Sequence, residues 1–80
     1  MNEDYVVRYG GDNGIFSINR SDYMTKKDAT KFYNSINLDV STTWKELLYE
    51  PLDISEKQEV IKRDEVRVVD IGRCKILIPV

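Results

Sequence analysis

The side chains that could do chemistry in this chain are carboxylates, lysines, arginines and a single thiol, Cys74. Histidine is absent. That removes Ser–His and Cys–His nucleophile pairs, the commonest general acid–base group and the commonest metal ligand. One cysteine makes neither a zinc site nor an internal disulfide. Beside a turn and inside a strand-like run, Cys74 reads as a small buried hydrophobe rather than a reactive thiol. The glycines at 10, 11 and 14 match neither GxxxxGK(S/T) nor GxGxxG, so no phosphate cradle is encoded. The expectation is a protein without catalytic residues, metal or cofactor, which acts by binding.

The charges are unevenly spread. Residues 41–60 hold five acids (Glu46, Glu50, Asp53, Glu56, Glu59) against Lys45 and Lys57, a local net of -3. Residues 61–80 hold Asp64, Glu65 and Asp70 against Lys62, Arg63, Arg67, Arg73 and Lys75, a local net of +2. The acids recur every three or four residues, which helical backbone would gather on one side. Such an array can imitate spaced phosphates, although a solvated face serving solubility is the plainer reading. Tyrosine is enriched at interfaces, and Tyr23 and Tyr49 lie beside expected helix ends. The candidate partner-binding set is therefore Tyr23, Glu46, Tyr49, Glu50, Asp53, Glu56 and Glu59. Lys26, Lys27 and Lys31, near a helix N-terminus, have the chemistry to hold a phosphate, but lysines so placed more often point into water.

These residues need elements to position them. DYVVRY and IFSINR flank GGDNG and predict an N-terminal hairpin with Tyr9 facing Phe16 and Val7 facing Ile18. In MTKKDATKFYNSI, Thr25 is an N-cap with Asp28 at N3, and Met24 with Ala29 forms a hydrophobic staple. Ala29, Phe32, Tyr33 and Ile36 then make one stripe, so a helix is expected over about 26–36, with Asn37 as its C′ residue. TTWKELLYEP reads as a short second helix, about 44–50, stopped by Pro51; a strand with Trp44 and Leu48 on one side stays open. SEKQEVIKRDE, capped at Ser55, is a brief helix or an extended segment. VRVVDIGRCKILIPV predicts a hairpin turning at Gly72–Arg73, with Ile71 facing Cys74, Asp70 facing Lys75, Val69 facing Ile76 and Val68 facing Leu77. Apolar residues on both of its faces place this hairpin centrally in the sheet. Tyr33 and Trp44 are expected in the core.

Eighty residues with 41% apolar and 32% charged side chains describe a single α+β domain: a small antiparallel sheet, built from the N-terminal and C-terminal hairpins, packed against one main helix. The formal charge of -2 argues against a dedicated nucleic-acid or polybasic membrane-surface protein. No apolar run reaches the roughly 20 residues of a membrane span, and MNEDYVVRYGG is unlike a signal peptide, so a cytoplasmic location is expected.

DNGIFSINRSD, KKDATKFYNSI and TTWKELLYEPLD give the chain a style that resembles the small accessory proteins of phages and prophages, anti-CRISPR and other anti-defence inhibitors among them. The resemblance implies stoichiometric inhibition of a host protein or ribonucleoprotein complex in the host cytoplasm, and carries no residue-level site. Two other readings stand beside it. One is a nucleic-acid-binding or regulatory module using Lys62, Arg63, Arg67, Arg73 and Lys75; the other is a structural subunit of a larger assembly.

Overall fold

The computed structural model describes residues 3–11, 14–15, 22–51 and 57–80. Strands β1 (Tyr5–Gly11) and β2 (Gly14–Ile15), helix α1 (Lys26–Ser35), and strands β3 (Trp44–Tyr49), β4 (Glu59–Ile71) and β5 (Cys74–Pro79) follow in chain order. The strands form one antiparallel sheet in the order β2-β1-β3-β4-β5. The class is the expected α+β.

Helix α1 starts where the cap chemistry put it: the Asp28 N–H donates to the Thr25 hydroxyl at 3.3 Å. Its Ala29 and Tyr33 pack with Val7 of β1 and Leu47 of β3, while Tyr5, Tyr9, Met24 and Ile36 close around them. Phe32 stands at the margin, 39% exposed, edge-on to Tyr9. The helix end departs from expectation. Ile36 is its extended C-cap, and no described residue other than glycine has a positive φ, so Asn37 is not a left-handed C′ residue. Instead Lys45 on β3 donates to the carbonyls of Tyr33 (2.9 Å) and Ile36 (2.8 Å), giving the orphaned helix end a cationic donor.

The β1–β2 pairs Gly10↔Ile15 and Gly11↔Gly14 continue the register in which Tyr9 would oppose Phe16; Phe16 and Ile18 lie outside the described residues. Gly11 is required by a close approach. A Cβ there would sit 2.1 Å from the Ser41 carbonyl oxygen. Asp39 fixes that approach by accepting from the N–H groups of Ser41 and Thr42 at 2.8 Å each. Those hydrogen bonds, the Thr42 one foremost, lower its carboxyl pKa.

The expected helix over 44–50 is instead strand β3. Thr43 and Pro51 bound it to a length at which helix nucleation is not offset. As a strand it pairs along its whole length with β1 on one edge and β4 on the other. Alternation then puts Leu47 (3% exposed) on the helix side and Leu48 (0%) on the far side, so both are buried. A helix could not have sent these adjacent residues to opposite layers. The segment from Glu59 onward is likewise strand, with an irregularity opposite Leu47/Leu48; Ser55 lies outside the described residues.

The C-terminal hairpin has the expected register, Ile71↔Cys74 through Val68↔Leu77. Gly72 has φ 61°, and Arg73 has no positive φ, as a type II′ turn requires. Its position is the correction. It is not central. β4 is 13 residues long and β3 only 6, so Glu59–Glu65 pair with β3 while Val66–Ile71 pair with β5. The distal half of β4 and all of β5 therefore run on past β3 as a two-stranded ribbon, in a molecule measuring 49 × 21 × 20 Å.

Candidate functional site

Alternation and register assign every side chain on the sheet to a face. On the face away from α1, Arg8, Glu46 and Arg63 stand in one row across β1, β3 and β4. Glu46 is only 6% exposed, and both of its oxygens are used. Arg8 Nε donates to Oε1 at 2.7 Å and Arg63 Nη1 to Oε2 at 3.0 Å. Arg63 also donates through Nη2 to Glu65 at 2.7 Å and lies 5.3 Å from the centre of the Trp44 ring. The hydrogen bond to Glu65 raises the Arg63 pKa further, so this guanidinium stays charged. Glu46 is thus a buried carboxylate between two cations, and Trp44 is half-buried beneath one of them rather than deep in the core.

Of the sequence-predicted partner residues, Tyr23, Tyr49, Glu50 and Glu59 gather at the end of the sheet opposite the ribbon. The Tyr23 hydroxyl donates to the Glu50 carboxylate. The Tyr49 ring lies 5.1 Å from that of Tyr5, and exposed Glu59 is the cross-strand neighbour of Tyr49. Glu46 does not join them. Asp53 and Glu56 lie outside the described residues.

The basic candidates divide as well. Lys62 points at the Tyr33 ring, 5.4 Å from its centre, and Arg63 is held by Glu46 and Glu65. Arg67, Arg73 and Lys75 belong to the ribbon, Lys75 opposite Asp70. Under α1, the Tyr33 hydroxyl donates to Asp64. Burial, then that hydrogen bond, push the phenol pKa well above the usual tyrosine value. Lys26, Lys27 and Lys31 are all exposed.

Composition did not single out the surface that the fold does. Asp64 faces α1, so Val66, Val68 and Asp70 share its side of β4, while Glu65, Arg67, Val69 and Ile71 look the other way. The β5 partners of that second set are Cys74, Ile76 and Ile78, followed by Val80. On this far face Ile71 is 58% exposed, Ile76 43%, Ile78 45% and Val80 78%. Cys74 is exposed too, contrary to its reading as a buried hydrophobe. An open cleft bordered by Thr43, Glu65, Val66, Arg67, Val68 and Val80 marks the ribbon's root. The signal was present in the sequence as apolar alternation on both faces of the hairpin. Central burial and an uncovered apolar face share that pattern.

Comparison with known protein families, curated proteins and solved structures returned no match to this chain. Among the described residues no helix is long and apolar enough to cross a membrane, and no group of three or more cysteine, aspartate or glutamate side chains is placed to hold a metal ion.

Proposed function

We propose that this chain is a non-catalytic protein-binding module that docks through the far face of its C-terminal ribbon. One observation carries the reading: four large aliphatic side chains, 43–78% exposed, share one face of a ribbon that leaves the packed body. Contiguous apolar exposure of this kind marks interaction surfaces, and a lone two-stranded ribbon is marginal in water without something packed on it. Glu46 is not part of this reading, because Arg8 and Arg63 neutralise it internally. Resemblance to phage accessory proteins directs the search for a heterologous target to host defence proteins, with the chain as a stoichiometric inhibitor.

The test is capture of partners from a host lysate by the immobilised wild-type chain, an Ile76→Thr/Ile78→Thr variant and a Glu50→Lys/Glu59→Lys variant. The ribbon variant loses the partner and the acidic-end variant keeps it. Equal capture by wild type and ribbon variant overturns the reading, and so does turnover of a substrate by the purified chain.

A further inference from the structure

We infer that the occupant of the ribbon's far face is a second copy of this chain, stacked face to face and antiparallel about a two-fold axis. This rests on the reading that the ribbon is a docking surface, and names what docks there.

The edge of the ribbon is closed to strand addition while its face is open. Val80 N–H donates to the Glu65 carbonyl at 3.1 Å, so residues 74, 76, 78 and 80 turn their backbone groups toward β4 and residues 75, 77 and 79 turn theirs outward. Two of those three outward positions are Lys75 and Pro79, a charge and a residue without an N–H, which discourage edge-to-edge pairing. No such device protects Ile71, Ile76, Ile78 and Val80. Their exposed fractions amount to roughly 370–420 Å² per copy, so a pair withdraws about 750–850 Å² from water, the size of a weak, concentration-dependent contact.

The pattern on this face matches itself when reversed. A two-fold axis level with residue 77 lays Ile76 over the partner's Ile78 and Cys74 over the partner's Val80. The β5 stripe is then apolar on apolar at all four positions, as an isologous contact demands. At the ends, Glu65 at the root of one ribbon lies over Ile71 near the tip of the other, its stem against the apolar side chain and its carboxylate held by Arg63. Arg67 lies over Val69, where its stem covers apolar surface while its head reaches water. The antiparallel arrangement puts the two bodies at opposite ends of the stack.

The stack is tested by the solution mass of the purified full chain at 10–500 μM on the order of typical dimer constants, measured by sedimentation equilibrium, with circular dichroism to verify folding. Wild type gives twice the 9.3 kDa chain mass. Ile76→Thr/Ile78→Thr gives the single mass, and Leu77→Thr, on the opposite face of the same strand, stays doubled. A Val80→Cys variant supplies a readout that does not depend on the double variant folding. Its new thiol lies over the partner's Cys74 across about 10 Å of sheet spacing, so a short bis-maleimide of about that reach links the pair. Wild type does not link, because its own Cys74 residues are about 20 Å apart, six residues along a strand.

Wild type at the single mass throughout, a doubled mass in the Ile76→Thr/Ile78→Thr variant, or no linkage in Val80→Cys each overturns the stack. A single-mass wild type whose ribbon variant still loses a lysate partner overturns only the stack and leaves ribbon docking standing. Loss of neither property in the variant removes both.

Discussion

Replacing Glu46 by glutamine keeps the shape of the side chain and removes its charge. It also turns one hydrogen-bond acceptor into a donor facing a guanidinium. In the native row the carboxylate is 7% exposed, while the side chains of Arg8 and Arg63 are 40% and 46% exposed. The arginines can therefore turn to water, but nothing replaces what Glu46 received. A net charge-assisted hydrogen bond contributes about 1.5–3 kcal/mol. With two such partners, each partly re-solvated afterwards, the expected loss is about 2–3 kcal/mol. That is a large share of the roughly 4–12 kcal/mol available to 80 residues, and it lowers the melting temperature by about 10–20 °C. Glu46→Lys places a third cation between the arginines and costs about 4 kcal/mol or more, so loss of binding in that variant would report unfolding. Urea titrations followed by Trp44 fluorescence measure these values, and a double-mutant cycle with Arg8→Gln isolates the pair at about 1 kcal/mol or more of coupling. A Glu46→Gln protein within about 0.5 kcal/mol of wild type would refute the reasoning.

Gly11→Ala drives a methyl into the Ser41 carbonyl and should cost about 2–3 kcal/mol in a urea titration; no loss would mean that the 39–42 turn moves aside freely. Tyr33 has a raised pKa in the folded state, so the stability it contributes is complete below about pH 10, the unfolded tyrosine value, and is lost as pH rises beyond it. The urea midpoint of wild type should therefore fall between pH 9 and 11 more steeply than that of Tyr33→Phe, and parallel curves would contradict the assignment.

Local chemistry made much of this legible. Thr25 and Asp28 announce the start of α1, and Gly72 sets both the turn and the register of the last hairpin, down to Asp70 opposite Lys75. What stayed hidden depends on residues far apart in the chain. Trp44–Tyr49 satisfies both a helical stripe and a strand alternation, and only β1 and β4 on either side decide between them. Glu46 looked like one member of an acidic series, because its partners lie 38 and 17 residues away and arrive only through sheet register. The hairpin's two apolar faces were correctly seen, but whether such faces are buried depends on strand order and on β4 being twice the length of β3.

That length has a thermodynamic consequence. Because one continuous strand belongs to two ladders, the ribbon can fray without opening the body: separating Val66–Ile71 from β5 breaks no pair between β4 and β3. Its amides should exchange with solvent deuterium through local opening at low cost, while those of Val6 and Leu48 wait for global unfolding. Whatever seats itself on the ribbon then does two jobs at once, since occupying the surface also slows exchange along the last fifth of the chain.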